Sequence, residues 1–362
     1  MGSYFARVVL VPSAVFLSVL FGGAYGSGRE VVEFISQHGP VGGFIAIATI
    51  AQVYLLCLFM VYELGRIFQT HEYRGFARQL LGPARHLYEI IIVIGLTLGL
   101  AICASAGGSI FESHFGLPAI TGGIGVLLII VTLTYFGRQI VEKSMIAAVS
   151  ALGLVLIYLV YVVLDQHGNE VSTAFVSQPV VSDGISTGLK YALSNCGFLP
   201  LLLYSARDLQ SRSESAVAAA FAAMVGVIPG IAFHFSFMMA YPQIVDQQLP
   251  TYWLFEQITS STFLNVYVAV VFVLVAQTGV GLLQGVLESI DQIMIRRRGK
   301  ALPPAGHALF SGAAVITASL LTTMGLVALI IRTYTFLSAA FVLVFYIPLL
   351  TRGIYMLVRH RS

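Results

Sequence analysis

Long apolar runs divided by short polar punctuation fill the chain almost from end to end. A bilayer core of roughly 30 Å takes about 20 apolar residues in helical form. On that ruler the pattern predicts ten spans, at 6–37, 41–68, 85–111, 118–137, 142–164, 184–207, 214–241, 261–295, 307–330 and 333–357. Turn chemistry marks their ends in "QHGPVGG", "HFGLPAITGG", "DQHGNE" and "RRRGKALPPAGH". No polar stretch between them is long enough for a soluble domain. The fold class is therefore all-α and integral to a membrane. The first run is too long, and too continuous with the second, to read as a cleaved leader, and "FGGAYG" is a poor cleavage site.

Two spans break the pattern. "SVLFGGAYGSGREVVEF" (18–34) places Gly22, Gly23, Gly26 and Gly28 within seven residues, then Arg29, Glu30 and Glu33. Each glycine costs a helix about 1 kcal/mol relative to Ala. In hydrocarbon, unpaired backbone is tolerated only where protein buries it or a cavity lies beside it. Close helix packing through Gly22-x-x-x-Gly26 is the plainer alternative. The sixth span, "GISTGLKYALSNCGFLPLLLYSARDL", repeats the anomaly at Asn195, Gly197 and Pro200. Pro200 removes an amide donor, and its ring opposes the carbonyl of Cys196. Spans one and six open the two halves of a ten-span chain. Five is odd, so the second half runs inverted relative to the first, which divides the membrane domain into 1–164 and 165–362. Paired interruptions in inverted halves point to a transporter's midplane site.

At such breaks, free carbonyls can coordinate a cation and free amides can face an anion. The candidate substrate contacts are Gly23, Ala24, Tyr25, Gly26, Ser27, Gly28 and Arg29 in span one, and Asn195, Cys196 and Gly197 in span six. Ser105 and Ser109, one turn apart in "CASAGGSIF", add hydroxyls from span three. Arg29 at the start of a half-helix opposes the local dipole and calls for a negative partner. Glu33, an acid on another helix and a substrate carboxylate all qualify. Lys190, Arg29, Glu30 and Glu33 sit at one level and can form an outer vestibule network. His234 reads as a hydrogen-bonded core histidine, and Glu63 with Arg66 as a local ion pair.

The charge distribution sets orientation. Of 19 Lys and Arg, all but Arg29, Lys190 and Arg332 fall at one set of span ends. Positive charge accumulates on the cytoplasmic side, which puts both termini inside a multi-pass protein of the cell's inner membrane. The loop "QTHEYRGFARQLLG" (69–82) can form a short amphipathic helix on that surface. Its arginines suit anionic lipid headgroups, not a nucleic acid. Composition agrees: 58% of residues are hydrophobic and 10% charged, with a mean hydropathy of +0.90. Cys57, Cys103 and Cys196 all lie in apolar runs, without disulfide or zinc spacing. No GxSxG elbow, HExxH or P-loop is present, so no enzyme and no organic cofactor is expected.

The motifs also carry a resemblance. "GGAYGSGREVVEF" resembles the first-helix signature of the YkvI-like membrane proteins, a glycine-rich break followed by "SGxE". "YALSNC" is similar to their broken sixth helix, and "IIRTYTFLSAAFVLVFYIPLL" to their last two spans. That family is similar to the amino acid–polyamine–organocation superfamily, which implies a LeuT-like 5+5 inverted repeat with helices 1 and 6 broken. It further implies cation-coupled symport of a small organic solute, such as an amino acid or a related amine or acid. A non-transporting membrane sensor of the same fold is the alternative. Carried over, the superfamily's sodium site falls on the carbonyls of Gly22, Tyr25 and Leu274, with Thr278 and Gln277 in "LVAQTGVGLLQG". Gln277 stands where a hydroxyl is usual. Na⁺ is preferred to H⁺ as coupling ion, because Lys143, the nearest lysine on span five, sits too close to the cytoplasmic end to replace it. The same pattern implies an inner gate between Arg7 and Glu288 or Asp291 in "LLQGVLESIDQ".

Overall fold

A computed structural model describes residues 4–20, 23–136, 138–178 and 183–359, without the side chains of 18–19, 23–24, 136, 138–149, 288–289, 292 and 296–297. Gly22 and the side chains of Lys143 and Glu288 thus lie outside the described residues. The predicted breaks are both present. A π-helical turn, Ala6–Leu10, runs into α1 (Val11–Leu20), and a single turn, α2 (Gly23–Gly26), precedes α3 (Arg29–Phe34). A 3₁₀ turn, Ser36–His38, leads through Gly39 into α4 (Gly39–Ile67). The amphipathic loop forms α5 (Tyr73–Leu81), which buries Phe76, Ala77, Leu80 and Leu81. Next come α6 (Arg85–Phe115), α7 (Ala119–Phe136), α8 (Arg138–Gln166) and α9 (Gly168–Ser177).

The second break separates α10 (Gly184–Cys196) from a 3₁₀ stretch, Leu199–Ala206. Pro200, without an amide hydrogen, enforces the change of winding. α11 (Arg212–Phe237) comes next, then a loop that holds α12 (Pro250–Ile258). The chain closes with α13 (Ser261–Arg298), α14 (Pro304–Thr322), α15 (Leu326–Phe341), two π-helical turns and α16 (Ile354–Arg359).

Six helical stretches among the described residues are long and apolar enough to cross a membrane: 36–67, 73–115, 212–240, 261–287, 304–322 and 326–359. The remaining predicted spans differ for identifiable reasons. The first and sixth are cut by their breaks, the fourth is the shorter apolar helix Ala119–Tyr135, and the fifth bends by 81° into α9. Outward-facing apolar side chains fit lipid surroundings. Leu154, Ile157 and Tyr161 form a stripe on α8, each more than 60% exposed.

Packing sorts the helices into two groups. α1, α4, α10 and α11 pack together, and α6, α7, α13 and α14 form the second set. The turn α2 lies against α6 and α13, so the first break sits where the groups meet. Small residues let backbones touch within the first set. A Cβ on Gly184 would lie 2.2 Å from the Gly42 carbonyl oxygen, and one on Gly188 2.7 Å from that of Ala46. Gly188→Ala should therefore destabilise the protein by about 1–3 kcal/mol through overpacking, whereas Gly312→Ala, with nothing within 4 Å of the new methyl, should be neutral or stabilising. Thermal unfolding of the detergent-purified variants compares the two.

Candidate functional site

The first break is built on Gly28, whose φ of 80° is left-handed. A Cβ there would also meet Thr251 Oγ1 at 2.3 Å and Phe237 Cζ at 2.6 Å, so geometry and space both require glycine. The Gly28 amide donates to the Tyr25 carbonyl at 2.9 Å, and Val32 restarts the helix by donating to the Gly28 carbonyl at 3.0 Å. The intervening carbonyls have partners from other elements. The Tyr267 hydroxyl donates to the Gly26 carbonyl at 3.1 Å, and the Thr251 amide donates to that of Ser27 at 3.1 Å.

Tyrosines treat the second break the same way. The Tyr88 hydroxyl donates to the Gly197 carbonyl at 2.8 Å, and the Tyr346 hydroxyl to that of Leu193 at 2.7 Å. Tyr346 closes the π-helical turn Val342–Tyr346, and such turns often occur at functional sites. Asn195 Nδ2 donates back to the Tyr191 carbonyl at 3.0 Å. Cys196 is fully buried. Hydroxyls of Tyr267, Tyr88 and Tyr346 thus hold the carbonyls of Gly26, Gly197 and Leu193, while the Tyr25 carbonyl accepts from the Gly28 amide. In the sequence these tyrosines read as core aromatics inside apolar runs, and nothing local marks them as caps.

The charged residues separate. Arg29 is 5% exposed. It donates to Glu33 at 2.7 Å, as the i, i+4 spacing allowed, and to the carbonyls of Val245 and Gln247 at 2.9 Å each. Its guanidinium thereby pins the loop 241–260 onto α3. That loop is a lid, fixed at several points. Gln248 Nε2 donates to Ser109 Oγ at 2.8 Å, and the Tyr252 hydroxyl donates to the Ser113 carbonyl at 3.3 Å. Burial pushes the Tyr252 pKa up, which keeps the hydroxyl a donor. Ser109 therefore serves the lid, while Ser105 is buried one turn away. The expected vestibule network does not assemble. Glu30 turns instead towards the Tyr191 and Tyr334 hydroxyls, and Lys190 makes no ion pair among the described residues. His234 is fully buried and pins the start of α4: its Nε2 donates to the Pro40 carbonyl at 2.9 Å, and its Nδ1 lies 3.0 Å from Ser36 Oγ.

Arg7 pairs with Glu214 and not with Asp291, the side chain of Glu288 lying outside the described residues. Its guanidinium binds Glu214 in a two-pronged pair, with Nη1 2.7 Å from Oε2, and Nη1 also reaches the Asp208 carbonyl at 2.6 Å. Asp291 is occupied by His307 at 2.8 Å and by the Leu302 amide at 2.9 Å. The sequence did hold a signal for Glu214. "SRSE" (211–214) has the sequence of a capping box: Ser211 Oγ accepts from the Glu214 amide at 3.3 Å, while Glu214 Oε2 accepts from the amide one residue before the cap, that of Gln210, at 2.7 Å. This fixes the carboxylate at the mouth of α11, facing Arg7. Glu63 and Arg66 form the expected local pair at 2.7 Å.

For the candidate cation ligands, the structure brings α2 against α13, since a Cβ on Gly26 would touch Val271 at 3.6 Å and Leu274 at 3.8 Å. Thr278 Oγ1 donates to the Leu274 carbonyl at 2.8 Å, which leaves its lone pairs available. Gln277 is buried beside them. Oxygen donors of this kind suit a hard cation. Among the described residues no group of three His, Cys, Asp or Glu could hold a metal ion.

No family model matches the chain. No curated protein matches it either. Solved structures do. The chain is similar to MhsT in complex with L-phenylalanine, at 14% identity and a TM-score of 0.64, over 91% of this chain and 85% of that one. It is similar to a variant of the Eremococcus coleocola manganese transporter, at 14% identity and a TM-score of 0.62, over 96% and 78%. Mhp1, a nucleobase-cation-symport-1 family transporter with bromovinylhydantoin bound, aligns at 16% identity and a TM-score of 0.56, over 93% and 76%. The fold is thus that of the LeuT-like transporters, all-α with its first and sixth helices broken.

If the Tyr88 hydroxyl satisfies the second break, Tyr88→Phe should cost about 1–3 kcal/mol, the penalty of an orphaned buried carbonyl, and Tyr346→Phe should cost less, because the Gly197 amide still donates to the Leu193 carbonyl at 3.3 Å. Hydrogen exchange over 193–199 should rise in both variants, and unchanged protection there would remove the capping role.

Proposed function

We propose that this protein is a secondary active transporter that couples a cation, Na⁺ in preference to H⁺, to symport of a small organic solute such as an amino acid or a related amine or acid. The observation that carries this reading is the pair of interrupted helices, with the turn of the first wedged between α6 and α13. Neighbours of the same fold include a protein described as a Na⁺-coupled sialic acid symporter, at 12% identity and a TM-score of 0.56, over 94% of this chain and 86% of that one.

The solute would bind along 23–28 and 195–197, with Ser105 at its side. The cation would take oxygens from Tyr25, Leu274 and Thr278, with Gly22 and Gln277 as further donors. The halves 1–164 and 165–362 would be the inverted repeats, in a protein of the cytoplasmic membrane with both termini inside. Membership of the YkvI-like group is part of the same proposal and rests on the motif at 22–34. Arg7 with Glu214 would latch the inner end, and Arg29 with Glu33 would hold the lid at the outer end. Both pairs involve residues on the first broken helix, so a movement of α1 or α3 would strain them.

A thermal-shift screen of amino acids, amines and organic acids, each with and without sodium, tests the assignment. Stabilisation by a solute that grows with Na⁺ is the expected result, because binding of the two must be reciprocally coupled. In proteoliposomes, Gly26→Leu and Asn195→Ala should each abolish uptake while leaving a folded, monodisperse protein. Ligand binding without accumulation would favour the sensor alternative.

A further inference from the structure

Arg7, Arg29 and Arg66 each bind an acid, Glu214, Glu33 and Glu63 in turn. Three other arginines, brought to one place by the fold, have no acid among the described residues: Arg78, Arg85 and Arg352. Gly82 is their common centre. Its amide donates to the Arg78 carbonyl, and its own carbonyl accepts from the Arg85 amide. Arg352, from the last helix, reaches the Leu80 carbonyl with Nη1 in a long bond of 3.4 Å. A Cβ on Gly82 would find that nitrogen at 3.8 Å and, beyond its chain neighbours, nothing else among the described residues within 4 Å. The space beside Gly82 is open. α5 turns Phe76, Leu80 and Leu81 inward onto the protein, so the face it leaves outside is the polar one that carries Arg78.

A set of solvated surface charges is the plain alternative, and Arg85 departs from it. Its Nε is shut off from solvent and has no hydrogen-bond partner. A buried donor left over calls for an acceptor. Glu89, one turn along α6, would be the ordinary choice, yet its carboxylate lies 3.9 Å from His86. Arg352 commits one nitrogen to a carbonyl and keeps the other donors of its fork. Guanidiniums without an acid suit a phosphate, whose oxygens accept several forked donors at once.

The neighbouring surface separates a lipid phosphate from a free one. From Arg85, α6 continues with Leu87, Ile90 and Ile94 turned outward, and the last helix approaches Arg352 through outward Leu343, Ile347 and Leu350. Both stripes repeat at about one helical turn, in segments long and apolar enough to cross a membrane. Tyr88 stacks on Phe345 with centroids 5.6 Å apart, which holds the two helices side by side. The arginines therefore stand where each helix passes from polar to apolar surroundings, the level of a headgroup. We propose that Arg78, Arg85 and Arg352 hold the phosphate of an anionic phospholipid whose acyl chains lie along these stripes. The lipid ties the turn between α5 and α6 to the last helix. Its site is independent of the cargo.

The test uses the full chain, delipidated in detergent, with phosphatidylglycerol, phosphatidylcholine or inorganic phosphate added back. Native mass spectrometry reads lipid retention, and thermal unfolding reads stability. Phosphatidylglycerol should be retained and should raise the melting temperature, and phosphatidylcholine should do neither. Arg85→Gln combined with Arg352→Gln should weaken phosphatidylglycerol binding about thirtyfold, and Arg352→Gln alone about fivefold, the worth of an arginine at an anionic membrane surface. Arg352 is exposed, so the single variant serves if the double variant fails to fold. Arg332→Gln, at an exposed position on α15, should leave binding unchanged. Equal retention of phosphatidylcholine overturns the inference, as does undiminished phosphatidylglycerol binding in both site variants. Stabilisation by inorganic phosphate as strong as by phosphatidylglycerol makes this a site for a free anion and overturns the lipid. A loss in Arg332→Gln as large as in Arg352→Gln overturns it too, because net charge alone would then decide binding.

Discussion

A backbone carbonyl or amide freed inside a bilayer has no water to turn to, so the protein must supply its partner. That constraint organises this molecule. Two helices are cut near their middles; the carbonyls they release are taken up by Tyr267, Thr251 and Tyr88, and Tyr346 adds a second bond to the Leu193 carbonyl beside the Gly197 amide. These partners come from α13, the lid, α6 and the last helix, which is why those elements converge on the breaks. The π-helical winding near Tyr346 has the same origin, as it brings that ring to Leu193. A transporter of this fold is expected to expose backbone to its cargo. Here hydroxyls occupy those positions, and each is a bond that a ligand would have to compete with or share.

Charge is treated with similar economy. Arg7 is neutralised by an acid and a carbonyl from other elements, and Arg29, at the break, by Glu33 on its own helix and by two carbonyls of the loop. Arg7 reaches α11, and Arg29 reaches the lid. The lid is bonded on one side to α3 and on the other to α6, so it spans the two helix groups.

Much of the architecture was legible locally. Glycine density at 22–28 and the Asn-Gly-Pro cluster at 195–200 predicted both interruptions, because each residue type acts on the chain where it stands. The polar–apolar alternation of 69–82 predicted α5 for the same reason. Partnerships across the fold were not legible. Tyr88 meets Gly197, and Tyr346 meets Leu193, over separations of more than a hundred residues, and a tyrosine in an apolar run looks the same whether it caps a carbonyl or merely packs. The expected partner of Arg7 was placed by analogy of position, at Glu288 or Asp291. Asp291 sits at a plausible distance along the chain, but it caps the turn after α13 through His307 and Leu302. Glu214, announced by its capping box, was the acid within reach of Arg7.

The contact between α4 and α10 has a mechanical consequence. With glycines at 184 and 188 pressed on the backbone of Gly42 and Ala46, these helices meet backbone to backbone over one full turn. α10 and α4 are therefore coupled there, and bending of the sixth helix falls where α10 gives way to the 3₁₀ stretch, at Gly197 and Phe198.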